Sequence, residues 1–343
     1  MNKKICFSIV SVCLLICIGY VFNKISKKSQ IVNEPLNTNK HSIYVRSCGN
    51  EMNILDTTNF NIKPIKHNID YTLNMAEVQD NKIYAPICNK KWISVFKGGK
   101  FQKDIKLKYD LPLKARYNRF NGYTYVSHMT KLTYNNENCI TVIDSNTDTE
   151  KCNILYDKGV EDITFTKDNK MIVSSWTTGG DTIYNIDIFD LKNNSIVKTL
   201  KMPVKYDCIK AVSDDLVYAI NRMIKDPYID IISLSKGKVI DRIKLPYDSP
   251  YSIYIDTTND NNIAYILHVW DMYLEEGQGV TMLNYKTHKI ENKIPNIKGS
   301  QTMCIKKDKL YFASWICNKI YVVDKKKFKV EKEIKFEGPN FAI

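Results

Sequence analysis

This 343-residue chain is defined first by what it lacks. It has no Gly-x-x-x-x-Gly-Lys loop, no Gly-x-Ser-x-Gly elbow and no Gly-x-Gly-x-x-Gly turn, so the usual phosphate cradle, hydrolase nucleophile and dinucleotide site are all missing. It has no His-x-x-x-His and no Cys-x-x-Cys, and only five His in all, which makes a multi-His metal centre hard to assemble. No metal ligand set and no cofactor is assigned. After residue 42 no apolar pattern of helical period occurs, which excludes a helical domain. After Lys28 no block of five basic residues occurs either, so the net charge of +13 is scattered. No nucleic-acid partner is expected from such a distribution. The spread lysines keep the chain soluble or draw it towards anionic polymers and lipid head groups.

One long apolar run is present. Ile5 to Phe22 is 18 residues without a charge, between Lys3 and Lys4 on one side and Lys24, Lys27 and Lys28 on the other. That length just spans a bilayer as a helix and also suits a long signal-peptide core. No Ala-x-Ala-like cleavage site follows, which favours an uncleaved transmembrane helix over a signal peptide. Val12 and Ile16, before Cys13 and Cys17, do not suit lipid attachment. The expected layout is a membrane segment at 1–22, a polar linker at 23–41 and a folded domain at 42–343. The expected location is the cell membrane with the domain outside, or secretion if the segment is cleaved.

The folded domain repeats. An apolar–Tyr pair or its equivalent recurs at Ile43-Tyr44, Ile83-Tyr84, Thr124-Tyr125, Met171-Ile172, Val217-Tyr218, Ala264-Tyr265 and Leu310-Tyr311, at steps of 40 to 47 residues. Each pair is followed by a second β run such as Ile320-Tyr321-Val322-Val323-Asp324, then a third, and a fourth precedes the next pair. Four short strands at this period predict an all-β, seven-bladed β-propeller. The chain enters at a second strand and finishes on Gly338-Pro339-Asn340-Phe341-Ala342-Ile343. This segment is therefore expected to supply the missing inner strand of the first blade and close the ring.

Lys309-Leu310-Tyr311-Phe312-Ala313-Ser314, Val322-Val323-Asp324, Val142-Ile143-Asp144 and Gly338-Pro339-Asn340 together resemble the YVTN-repeat seven-bladed propellers. The resemblance covers about residues 42–343. It implies the fold and a choice among binding proteins, lactonase-like hydrolases and quinoprotein-like oxidoreductases.

Function in such repeats sits in the loops and axial mouths. The segments after the second strands are long at His128–Tyr134, Trp176–Asp181 and Trp270–Gly277, and moderate at Arg222–Pro227. The expected ligand-binding residues are His128, Trp176, Arg222, His268, Trp270 and Trp315, chemically suited to stacking on a ring and holding an anion. The same residues could instead fill seams between blades. Acids such as Asp181, Asp226, Asp271, Glu275 and Glu276 could bind Ca²⁺ or simply be solvated.

Of ten Cys, Cys48, Cys88 and Cys317 fall in consecutive blades, near His128. They read as apolar strand residues, as a Cys48–Cys317 disulfide or as a thiolate metal site. Cys139 and Cys152 flank one hairpin and form another candidate pair. The expected function is a monomeric, membrane-held binding module for a small molecule, glycan or protein. A lactonase-like or other hydrolase working at the axial mouth is the alternative.

Overall fold

The computed structural model of the protein describes residues 42–47, 51–70, 72, 74–128, 139–177, 182–222, 226–256, 262–269 and 279–341. The apolar run at 5–22 lies outside them. Among the described residues no helix is long and apolar enough to cross a membrane.

The described strands form seven four-stranded antiparallel sheets. Six are built from consecutive strands, for example Pro112–Asn118, Tyr123–His128, Cys139–Asp144 and Thr149–Leu155 in the third. The remaining sheet is composite. Asn340–Phe341 pairs with Ser42–Arg46, placing Phe341 opposite Val45. Phe341 is fully buried and its N–H donates to Thr302 Oγ1 of the last blade at 2.9 Å. The ring is thus closed by the two ends of the domain, as its sequence requires. Ala342 and Ile343 lie outside the described residues.

The burial pattern explains the ring. Second and third strands are buried along nearly their whole length, as in Lys309–Ser314 and Lys319–Asp324, because a neighbouring blade covers each face. Outer strands such as Lys329–Lys335 are largely exposed. The core is therefore distributed over seven apolar clusters, one at each seam between adjacent blades. The seam between last and first blade contains Val45, Leu55, Tyr311, Val322 and Phe341.

The recurring Tyr has a specific task in these seams. Its ring fills the cluster and its hydroxyl reaches the outer hairpin of the next blade. Tyr44 accepts from Gly99 N–H at 2.8 Å, Tyr84 donates to Asp148, and Tyr218 bonds His288 Nδ1 at 2.5 Å. Gly99, Asp148 and His288 all occupy the left-handed turn position of their hairpins, with φ of 74°, 54° and 58°. The left-handed residue ends a tight turn, so its backbone or side chain is presented sideways to the incoming hydroxyl. One residue type thereby satisfies packing and polar latching together.

Candidate functional site

The antiparallel register defines two ends of the propeller axis. Inner strands start where second strands finish, since Pro112 faces His128, Gly159 faces Trp176 and Pro250 faces His268. Inner strands finish at the other end, where short turns lead back into the second strands. The residues nominated by the sequence stand at the first end.

There, His128 and His268 make matching contacts. Each Nδ1 donates to a backbone carbonyl, Asp110 at 2.6 Å and Asp248 at 3.0 Å. Each Nε2 lies 2.9 Å from a third-strand hydroxyl, of Thr141 and Thr281 respectively. The edges of Tyr109 and Tyr247 pack on the two imidazoles. Burial pushes both imidazoles towards the neutral form, His268 down to about 4, while the carbonyls partly oppose the shift. Both are polar core residues with both nitrogens engaged. A sequence signal for this exists: Tyr-Asp-x-Pro at 109–112 and 247–250, then His, then Thr 13 residues later, occurs twice.

The others are divided. Trp176 lies over Gly159, where an added Cβ would come within 2.5 Å of the indole. Arg222 stacks at 3.7 Å on the Tyr251 ring, and its Nε donates to Tyr251 O at 3.0 Å. Trp315 is 44% exposed. Trp270 lies outside the described residues, as does Cys48. Cys139 faces Leu155 and Cys152 faces Val142, so that candidate pair is out of register and no disulfide joins it. Among the described residues no group of three His, Cys, Asp or Glu is arranged to hold a metal ion.

Charges on the inner strands near Arg222 neutralise one another. Lys205 bridges Glu161 at 2.8 Å and Asp207 at 3.1 Å, and Lys114 lies 3.7 Å from Glu161. Deeper in, the Arg116 guanidinium donates to Asp162 at 2.8 and 3.1 Å and to Asn74 at 2.6 Å. Asp162 also accepts from Ile209 N–H at 3.1 Å, so three successive blades are tied around the axis. Burial pushes the Asp162 carboxyl up, but Arg116, Lys114 and Lys210 outweigh it and bring it to about 2.

At the far end a cavity of about 540 Å³ opens among the ends of the inner strands. Its wall includes Arg116, Asn118, Phe120, Phe165, Lys210, Ala211 and Tyr254. None of the residues nominated by the sequence lines it. The size suits a small ligand. Its acids are engaged: Glu77 pairs with Lys306 at 3.1 Å, Asp256 with Lys325 at 2.6 Å, and Asp214 accepts Lys167 N–H at 2.7 Å. Lys210 differs. Its ammonium has no hydrogen bond or ion pair among the described residues, and burial with the nearby Arg116 charge lowers its pKa. Asn118 Nδ2, also on this wall, is buried without a hydrogen bond, and the Tyr254 hydroxyl oxygen has the Met303 backbone N–H as its nearby donor. Nothing about these residues stood out in the sequence, because a Lys in a strand is ordinary until its neighbours are known.

No family model matches the chain, and no curated protein matches it either. Among solved structures it is similar to a chain of Kuenenia stuttgartiensis hydrazine synthase, with a TM-score of 0.63 and 14% identity over 87% of this chain and 99% of that one. That likeness is one of fold.

Proposed function

We propose that this protein is a binding module, a divergent YVTN-type propeller tethered to the outer face of a membrane by the run at 5–22. Its ligand occupies the cavity at the ends of the inner strands. The carrying observation is the 540 Å³ cavity whose wall holds the half-buried Lys210, an ammonium with no hydrogen bond or ion pair among the described residues. Leaving such groups unpaired is costly, and a bound ligand would offset that cost. The repeat motifs support the family assignment, and the charge-free run of 18 residues supports the tether. Exposed Trp315, on the opposite face, supports a partner-binding role there as a second surface.

The test is a thermal-shift screen of the full chain, purified in mild detergent, against neutral sugars, amines and organic acids. At least one class should raise the melting temperature of the wild type and lose that effect in Ala211→Trp, which fills the cavity. No stabilising class, or equal stabilisation of Ala211→Trp, would remove the proposal.

A further inference from the structure

We infer that the cavity at the ends of the inner strands selects a small organic anion, bearing carboxylate or phosphate groups, which docks on Lys210. This rests on the reading of the cavity as a ligand site and adds its charge preference.

Glu77, Asp214 and Asp256 on the wall are each held by a protein donor. Arg116 is spent on Asp162 and Asn74. The cation left over is Lys210, half-buried on the inner strand Cys208–Ala211 and without an ion pair among the described residues. Arg119 and Lys167 stand exposed at the rim of the same cavity. An entering anion would meet cations at the mouth and, on the wall, an ammonium that has no ion pair among the described residues. The aromatic faces of Phe120, Phe165 and Tyr254 add apolar wall for the body of an organic ligand. A cationic ligand would face Lys210 and Arg116, with Glu77 and Asp256 already ion-paired, so the same geometry works against it.

A lysine kept only for folding would normally have a partner. Burial and the Arg116 charge outweigh the attraction of Asp162 at Lys210, so its replacement by an apolar isostere should stabilise the empty protein while weakening the complex. That pairing of opposite effects is specific to a binding role.

The experiment is titration calorimetry of the full chain at low ionic strength with citrate and with pyrophosphate, and with glucose and spermidine as neutral and cationic comparators. Citrate or pyrophosphate should bind, glucose and spermidine should not, and whichever anion binds names carboxylate or phosphate as the recognised group. Lys210→Met should weaken that binding at least tenfold and raise the melting temperature. Lys236→Met, on an outer hairpin, should change neither. Glucose or spermidine binding as well as the anions, or unchanged anion affinity in Lys210→Met, would overturn the inference. If a neutral ligand binds and Ala211→Trp abolishes it, the ligand site stands and only its anion preference falls. If no probe of any charge binds, both fall.

Discussion

The two ends of the propeller axis contrast in how their polar groups are employed. At one end stand His128 and His268, residue types associated with catalysis, each with both ring nitrogens in hydrogen bonds. At the other stands Lys210, an ordinary residue type, whose ammonium has no hydrogen bond or ion pair among the described residues. The contrast teaches that residue identity is a weaker guide to a site than residue satisfaction. A His whose donors and acceptors are met is part of the core. A half-buried cation without a hydrogen bond or ion pair still has its donors to offer.

The largest expected effect tests whether the axial charges are structural where they are paired. Arg116→Met leaves Asp162 buried without its main partner and should cost about 3–5 kcal/mol in urea denaturation. A loss below about 1 kcal/mol would mean the pair is not a structural tie.

Acid titration separates the two ends. The folded pKa of His268 lies below its unfolded value of 6.5, so its contribution is complete above pH 6.5 and is lost as pH falls towards 4. That window is worth roughly 3 kcal/mol. Asp162 is also depressed, from 3.8 to about 2, so its contribution of roughly 2 kcal/mol is lost only below about pH 4. Stability should therefore fall in two steps, with the histidine end failing first. His268→Gln should shrink the upper step to the part due to His128 and leave the lower one. A single transition below pH 4 in the wild type would contradict this order.

Lys210→Met should stabilise the protein by about 1 kcal/mol, opposite in sign to Arg116→Met two blades away. Trp315→Ala should change stability by no more than about 0.5 kcal/mol, because the indole is already largely in solvent. A larger loss would show that Trp315 fills a seam.

The blades were legible from sequence for a physical reason. Tyr44, Tyr84 and Tyr218 must each fill a seam and latch a neighbouring hairpin, so the same residue returns at the same phase. The closing strand was legible because Ser42–Arg46 lacks an inner neighbour in sequence and Asn340–Phe341 lacks an outer one. The cavity was not legible. Its wall is assembled from short runs at the inner-strand ends of separate blades, residues 116–120, 163–167, 210–214 and 254–256, and Asp162 meets Ile209 across 47 residues of chain. Loop length and aromatic content drew attention to the other end instead. There Arg222 lies on Tyr251 and Trp176 over Gly159, contacts set by neighbouring strands and invisible in a linear pattern.

The most direct measurement is the melting-temperature shift produced by one stabilising ligand in two variants compared side by side, Ala211→Trp and Trp315→Ala. The account predicts that the shift disappears in Ala211→Trp and is retained in Trp315→Ala. Retention in Ala211→Trp with loss in Trp315→Ala would move the site to the opposite face and contradict it.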